Sequence, residues 1–494
     1  MTSPGIILAV DQGSSSSRCV ALDRALRPLA QASRPVASSF PQPGWVEHDP
    51  AELLDSVLGA IADTTGQAGV SWADIAGIGL AAQTETFVVW DRASGKPVYP
   101  AVSWRDSRAA GRCDELRRTG HEAEIRRRTG LPLEAAFSAS KLSWLLSDVP
   151  DARPRAAAGD LLFGDVNCWL TWHLSGGSAH VTEPSMAART MLFNLATSAW
   201  DPDLLELFGV PAAMLPAVAS TAGPLAVTDP QVCGGRAVIA ASAGDQQAAL
   251  FGQRCWREGM AKLTLGTGAF LWCHAGGVPL AQVPAGVVSS CAWWLGEGGH
   301  AGLETAYALE GFVPNAGGVT TWLRQIGVLA AGTWPVIRDG AVAGTARRGA
   351  SGPWCVPALF GLGTPRWGGA PKADIVGLTA DTVAADVAEA ALLGVAHQVA
   401  DAIGAVSGGI GAPLRAIRVD GGMSRNDSLL QAIADLTGTV LERPAATEVT
   451  ALGVGALAGL GTGRPIRPAL PDDARRAVRQ AWQTVLARSL ADGP

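Results

Sequence analysis

The sequence has no pair of cysteines at a CxxC spacing and no cluster of cysteines with histidines. Its eight cysteines are scattered singly along 494 residues, and none of them groups with the seven histidines. Zinc sites and disulfide frameworks need such clustering. The sequence therefore predicts a reduced protein that has neither.

The chain also lacks a basic tract, an apolar run of about 18 residues and the basic and apolar regions of a signal peptide. Charged residues make up 17% of it, and the net charge is -6. A negative net charge argues against nucleic acid and anionic membranes as partners. We therefore expect a cytoplasmic protein that binds neither.

Apolar residues are abundant, at 48% of the chain, which is enough for a substantial core. A rule of roughly 150 residues per domain allows about three domains, but two halves fit equally well because α/β domains are often larger. Strand and helix patterns alternate along the chain. This alternation predicts an α/β fold.

A polar stretch, Gly244–Gly252, lies at the middle of the sequence. The apolar run 237–241 before it predicts a buried strand, and the pattern after Asp245 predicts a helix. A carboxylate between strand and helix faces a cleft and suits a general base or a residue that organises a metal. The alternative is a helix N-cap, for which Asp is favoured. Both interpretations stay open at this stage.

Two glycine-containing hairpins lie 253 residues apart, measured from Gly13 to Gly266. The first has a serine-rich tip that can donate to an anion, and Asp11 beside it would repel phosphate unless a cation lies between them, which suggests magnesium. A repeat at about half the chain length predicts a duplicated domain with nucleotide bound between the copies. Ordinary polar turns that match by chance are the alternative.

Other polar and aromatic residues are candidates for ligand contacts. Glu85 and Trp104 could line a sugar site, although a solvated strand end and a core tryptophan explain them equally well. Near the C-terminus, a strand at 416–420 is followed by Gly421 and Gly422 and then by a helix that starts near Asn426. Glycines between a strand and a helix N-terminus let the backbone approach a nucleotide closely.

Taken together, these segments resemble the FGGY carbohydrate kinases, and within them the glycerol kinases. The resemblance runs nearly end to end. The segments that carry it, in the family's order, are Asp11–Arg18, Gly44–Pro50, Phe137–Leu145, Gly244–Gln247, Gly361–Trp367, Val419–Gly422 and Glu448–Gly453.

The resemblance implies two actin-like, ribonuclease-H-like domains, residues 1–246 and 247–494, with a nucleotide cleft between them. The first would carry the phosphate hairpin and the polyol or sugar site, and the second the nucleotide site. The implied reaction transfers the γ-phosphoryl group of ATP, with Mg²⁺, to a hydroxyl of a small polyol or sugar. A second copy of the chain, in a homodimer, is the candidate protein partner.

The resemblance also implies roles for individual residues. Asp245 would be the catalytic base, for which an ordinary pKa of about 3.9 suffices, and Asp11 would hold magnesium together with Asp245. The implied polyol contacts are Thr84, Glu85, Trp104, Ala136, Asp245, Gln246 and Phe270. The implied nucleotide and phosphate contacts are Gly13, Ser14, Ser15, Arg18, Gly266, Thr267, Gly317, Thr321, Gly422 and Asn426.

The chain departs from glycerol kinases at several of these positions. Thr84 stands where they have Arg, Ala136 where they have Tyr and Thr321 where they have Gln, and the regulatory loop is shortened to 232–236. The lost volume predicts a four- or five-carbon polyol or ketose in preference to glycerol. The alternative is a glycerol kinase in which Arg105 or Phe137 closes the space. The shortened loop predicts no inhibition by fructose 1,6-bisphosphate.

Two other classes of protein share parts of this pattern. An actin- or Hsp70-like ATPase would have the two hairpins and the cleft, but Glu85, Trp104 and the set 244–246 argue against it. An inactive sugar sensor is the third possibility, and the presence of both Asp11 and Asp245 argues against that.

Overall fold

The computed structural model of the chain describes residues 5–280, 282–296, 305–338, 342, 353–367, 373–444 and 448–461. Two six-stranded sheets form its framework. The N-terminal sheet has the spatial order Ala222–Val227, Val238–Gly244, Ile75–Ala82, Ile6–Gln12, Ser16–Leu22 and Pro28–Pro35. The C-terminal sheet has the order Val288–Trp294, Thr305–Val313, Ala269–His274, Met260–Leu265, Ala416–Asp420 and Leu441–Glu442.

The two sheets are built in the same way. In each, a central strand pairs antiparallel with its hairpin partner on one side and parallel with a later strand on the other. The central strands are Ile6–Gln12 and Met260–Leu265, which are the first strands of the two predicted hairpins. This equivalence supports the predicted duplication.

Helices cover both faces of the N-terminal sheet, because alternate side chains of a strand point to opposite faces. Leu8 and Val10 belong to the core cluster that includes residues of helix Pro50–Ala68. Ile7 and Ala9 belong to the cluster that includes residues of helix Val449–Gly461. The last described helix therefore returns to pack on the first sheet.

Small residues make that packing possible, as the Ala- and Gly-rich sequence predicted. A Cβ atom at Gly79, in the sheet, would lie 2.5 Å from the carbonyl oxygen of Val454. A side chain at this position would therefore push the helix off the sheet.

The remaining strands form smaller sheets. A four-stranded sheet has the order Glu47–His48, Ala101–Val102, Phe87–Asp91 and Leu161–Asp165. The two-stranded sheets pair Phe193–Asn194 with Ala199–Trp200, Val181–Thr182 with Ala217–Val218, and Trp354–Val356 with Asp374–Val376. The other α-helices are Ala110–Arg118, Glu122–Thr129, Ser138–Asp148, Ala152–Ala158, Val166–Leu174, Pro184–Ala187, Pro202–Phe208, Pro230–Cys233, Asp245–Gly252, Gly317–Gln325, Ala384–Ile410 and Asp427–Thr437.

Helix Ala384–Ile410 is the longest of those described and packs on the C-terminal sheet. Within the described residues it alone has the length and apolar composition that could span a membrane, and 56% of its most apolar window is buried inside the protein. Such burial is typical of a core helix.

Hydrogen bonds tie the two halves of the chain together. The Ser289 amide donates to the Gly130 carbonyl at 3.0 Å, and the Tyr307 hydroxyl donates to the Leu195 carbonyl at 3.2 Å. The Arg126 guanidinium donates to two carbonyls of the segment before Val288–Trp294, at 2.7 and 2.9 Å. These bonds all join residues before 200 to residues after 280.

Candidate active site

Strand Val238–Gly244 leads directly into helix Asp245–Gly252. Gly244 is the N-cap, with φ -65° and ψ 148°, and Asp245 is the first helical residue. The capping interpretation of Asp245 is therefore wrong. A Cβ atom at Gly244 would lie 2.6 Å from Thr84 Cγ2, so the crossover requires glycine.

A cavity of about 210 Å³ lies between the two halves, and Asp245 lines it. The other six residues predicted for the polyol site line it as well. The full lining is Ser14, Gln83, Thr84, Glu85, Trp104, Glu134, Ala136, Phe137, Arg189, Asp245, Gln246, Phe270, Trp272, Val288, Glu310, Phe312 and Trp367. Arg105, one of the two residues predicted to close the space in a glycerol kinase, is absent from this lining and donates to Ser38 Oγ at 2.9 Å.

The first phosphate hairpin is bonded to the wall of this cavity. Trp104 Nε1 donates to Ser14 Oγ at 3.0 Å, and Ser14 Oγ donates to Gln83 Oε1 at 3.1 Å. Thr86 Oγ1 also donates to Gln83 Oε1, at 3.0 Å, and accepts from the Trp104 amide at 3.0 Å. The tip of the hairpin and the indole that faces the acceptor are therefore held as one unit.

Glu85 is the one lining residue in the left-handed backbone region, with φ 63°. This conformation is strained for a residue with a side chain, and such strain occurs preferentially at functional sites. Thr84 Oγ1 donates to Glu85 Oε2 at 2.7 Å, and Arg189 Nε donates to Glu85 Oε1 at 2.6 Å. Both carboxylate oxygens are thus fixed at the cavity wall.

Arg189 is a lining residue that the sequence did not predict. Its Nη2 lies 2.8 Å from Glu310 Oε2 as an ion pair, so one guanidinium joins Glu85 to Glu310 across the cleft. Burial disfavours its charge, yet the Glu310 and Glu85 carboxylates together raise the pKa of Arg189 above its ordinary value. The available signal was a lone arginine within the apolar run 186–193.

Asp11 and Asp245 are two carboxylates in the cleft that repel each other. Burial, followed by the charge of Asp245, raises the pKa of Asp11 to about 7. Burial also raises the pKa of Asp245, although Lys262 opposes this. The role of base does not require this shift, and it arises because burial disfavours the charged form of the carboxyl group.

This pair fits Mg²⁺, which binds oxygen ligands and commonly uses one or two carboxylates together with water and substrate phosphates. Among the described residues, no group of three or more His, Cys, Asp or Glu side chains could hold a metal. A site of two carboxylates completed by phosphate oxygens is consistent with both facts.

Lys262 is a second residue that the sequence did not predict. Its Nζ donates to Gln246 Oε1, and to Thr264 Oγ1 at 2.9 Å. This contact leaves the amide nitrogen of Gln246 directed toward Asp245 Oδ2, at 3.3 Å. Lys262 therefore fixes the orientation of the Gln246 amide and places a positive charge near the base.

In the C-terminal half, the second hairpin meets two other backbone segments. The Gly317 amide donates to the Gly266 carbonyl at 2.9 Å, and the Gly318 amide donates to the Thr267 carbonyl at 3.0 Å. A Cβ atom at Gly317 would lie 2.6 Å from the Gly266 oxygen, and one at Gly421, where φ is 86°, would lie 2.5 Å from the Leu265 oxygen. Bare backbone at such a junction can hold nucleotide phosphates.

Other predicted nucleotide contacts are engaged elsewhere or exposed. Arg18 forms an ion pair with Glu448. Asn426 caps helix Asp427–Thr437, accepting from the Leu429 amide at 3.1 Å. Ser15, Thr321 and Gly422 are exposed, and Gly13 closes its own turn by donating to the Ser16 carbonyl. Their roles toward nucleotide stay predictions.

Known proteins resemble this chain over its whole length. Residues 6–252 match the N-terminal domain, and residues 261–462 the C-terminal domain, of the FGGY family of carbohydrate kinases. The chain belongs to this family. Glycerol kinases of Alkalilimnicola ehrlichii and Citrifermentans bemidjiense are 43% and 42% identical to it, each over 98% of both chains.

Solved structures agree with the family assignment. The crystal structure of Plasmodium falciparum glycerol kinase with ADP has a TM-score of 0.83 and 26% identity, covering 99% of this chain and 98% of that one. Xylulose kinase from Rhodospirillum rubrum has a TM-score of 0.76 and 21% identity, covering 92% of this chain and 90% of that one, and shows the fold alone.

The predicted two-domain, actin-like and ribonuclease-H-like α/β fold is thereby confirmed. This FGGY kinase is an ATP-dependent phosphotransferase that acts on an alcohol group and uses Mg²⁺. The ATPase and inactive-sensor alternatives are wrong. The predicted domain boundary between 246 and 247 falls inside helix Asp245–Gly252 and stays a prediction.

Proposed function

We propose that this FGGY kinase phosphorylates glycerol, with Asp245 as the general base. The observation that carries the proposal is the position of Arg189 in the acceptor cavity, bonded to Glu85. The sequence suggested that Thr84 leaves the cavity without a guanidinium. Arg189 supplies one from another part of the chain. Identity above 40% to glycerol kinases over nearly the whole chain supports the same acceptor.

The chemistry needs alignment more than covalent catalysis. Transfer of a γ-phosphoryl group passes through a loose transition state, so orientation and charge neutralisation supply most of the rate. Magnesium supplies neutralisation of the phosphate charge when bound. Asp245 accepts the proton of the attacking hydroxyl, and burial, which raises its pKa above the ordinary value, makes the carboxylate a stronger proton acceptor.

Aromatic side chains close the acceptor cavity on the C-terminal side. The rings of Phe270 and Phe312 lie 4.8 Å apart, and those of Phe312 and Trp367 lie 5.7 Å apart. Trp367 is held in place because its Nε1 donates to the Gly286 carbonyl at 2.7 Å. Excluding water from the acceptor hydroxyl strengthens the electrostatic interactions around it.

A four- or five-carbon acceptor is the second candidate. Ala136 is small, and a cavity of about 210 Å³ leaves room beside it, which is the observation that favours a longer polyol. The relatives that are more than 40% identical over nearly the whole chain are glycerol kinases, which favours the first candidate. Cytoplasmic location and a homodimer also stay proposals.

The test is ADP release measured with glycerol, erythritol, threitol, the pentitols, xylulose and ribulose. We expect the highest kcat/KM with glycerol, and release that depends on the acceptor. The Asp245→Asn variant is the control for turnover at this site. A higher kcat/KM with a four- or five-carbon acceptor would instead support the second candidate.

A further inference from the structure

We propose that Arg189 recognises the acceptor directly, by donating a hydrogen bond from Nη1 to a hydroxyl other than the one that Asp245 deprotonates. The inference rests on the proposed small-polyol acceptor. It assigns specificity to a residue that lies outside the set implied by the resemblance.

The first observation is an incomplete set of partners around a buried charge. Nε donates to Glu85 at 2.6 Å, and Nη2 is paired with Glu310 at 2.8 Å. Nη1 is buried and has no hydrogen-bond partner in the described structure, while the residue is only 5% exposed. A buried donor on a charged group is costly to leave unpaired. A ligand hydroxyl in the cavity would provide the acceptor.

The second observation is that the guanidinium lies in the wall of the cavity. Arg189 lines it together with Glu85 and Glu310, and with the small residues Thr84 and Ala136. An arginine or tyrosine at either of the last two positions would bring a long side chain into the same wall. Their small size leaves this part of the wall free of long side chains, so that a polyol can approach the guanidinium.

The third observation is that the guanidinium is rigid before any ligand binds. Its carbon lies 5.3 Å from the ring centre of Phe137 and 5.4 Å from that of Trp272. Together with the two carboxylates, these rings fix its plane. A guanidinium that is already held in its binding orientation loses little side-chain entropy when a ligand binds. One hydrogen bond from a charged donor then accounts for roughly tenfold to 150-fold in kcat/KM.

A purely structural role is the competing explanation, because Arg189 also joins the two halves through Glu85 and Glu310. The experiment separates these roles by removing hydroxyls from the substrate. The kcat/KM of glycerol is compared with that of propane-1,2-diol and propane-1,3-diol, in wild type and in Arg189→Met.

In wild type we expect glycerol to exceed one of the two diols by roughly tenfold to 150-fold through this bond. In Arg189→Met, the kcat/KM for glycerol should fall by that factor. The kcat/KM for the diol that lacks the bonded hydroxyl should change by no more than about twofold. Equal losses for all three acceptors would overturn the proposal. So would a wild type that uses both diols as well as glycerol.

Arg108→Met is the matched control. The Arg108 side chain is also buried, pairs with Glu47 and Asp106 at 2.7 Å, and stacks on Trp45 at 3.8 Å, but it lies outside the acceptor cavity. We expect this variant to change all three acceptors together and to keep their ratio. A ratio that collapses in Arg108→Met as well would overturn the assignment.

Thermal unfolding shows whether each variant is folded. If Arg189→Met does not fold, Arg189→Lys keeps the charge but lacks Nη1, and the ratio should still collapse; an unchanged ratio would overturn the proposal. If the wild type prefers a longer polyol, the proposed function is wrong. The same comparison with that polyol and its deoxy analogues then decides the role of Arg189 independently.

Discussion

Asp11→Asn should stabilise the metal-free and nucleotide-free protein while abolishing turnover. The pKa of Asp11 is raised from 3.8 to about 7, first by burial and then by repulsion from Asp245. About three pKa units at about 1.36 kcal/mol each give an upper limit of about 4 kcal/mol. Because the side chain is partly exposed, screening reduces this to about 2–4 kcal/mol.

The sign follows from proton binding. The folded state binds the Asp11 proton more tightly than the unfolded state does. As the pH rises from the pKa of Asp11 in the unfolded chain to about 7, the free energy of unfolding therefore falls. Removing the carboxylate increases the free energy of unfolding most above pH 7. We expect the melting temperature of Asp11→Asn to exceed that of wild type by roughly 5–10 °C at pH 8, and by about a quarter of that at pH 4.5.

The assay is thermal unfolding of both proteins at the two pH values, with magnesium chelated. Asp23→Asn is the control of opposite sign: although burial opposes it, hydrogen bonds from Arg27 lower the pKa of Asp23, so this variant should lose stability at pH 8. Equal gains for Asp11→Asn at both pH values would refute the reasoning, as would a loss at pH 8.

Three further predictions concern turnover and regulation. Asp245→Asn should lower kcat by about 10²–10⁴ with little change in ATP affinity by titration; a rate above about a tenth of wild type would contradict the role of base. Gly317→Ala should raise the KM for ATP, because the added Cβ would displace the Gly266 carbonyl. Gly318→Ala should leave the KM unchanged, because its Cβ would lie 3.4 Å from the nearest atom. Equal KM values in the two variants would count against phosphate binding by this backbone junction. Fructose 1,6-bisphosphate should not inhibit at millimolar concentration, because the segment 232–236 carries the single cation Arg236; dose-dependent inhibition would show the prediction to be wrong.

Much of the framework could be predicted from local sequence. The strand Ala416–Asp420 has the predicted bounds. Helix Pro50–Ala68 begins at a proline and ends where Gly69 adopts the left-handed conformation. The alternation of apolar and polar residues and the glycines at turns are local signals. They suffice to predict an element where its strand pairing and burial depend on residues that are close in the sequence.

The missed site residues depend on contacts that no local pattern records. Arg189 and Glu85 are 104 positions apart, and Lys262 lies in a strand whose pattern indicates only a sheet. The small residues Thr84 and Ala136 suggested empty space, since the sequence does not show which distant side chain enters it. The raised pKa of Asp245 depends in the same way on tertiary structure, because burial of a side chain cannot be read from its neighbours in the sequence.

The hydrogen bonds between the two halves restrict how the halves can move relative to each other. Because the Gly130 carbonyl and the Ser289 amide belong to different halves and are bonded to each other, sliding of one sheet past the other would break them, whereas rotation about an axis through this contact would not. Gly130 has φ 74°, and a Cβ atom there would lie 2.5 Å from the Ser289 oxygen. A side chain at residue 130 would push the two halves apart at this contact. Because the halves would then be rotated relative to each other, the displacement of atoms would increase with distance from the contact, toward the nucleotide. Phosphoryl transfer would then be misaligned by a change at a residue that lies outside the acceptor cavity.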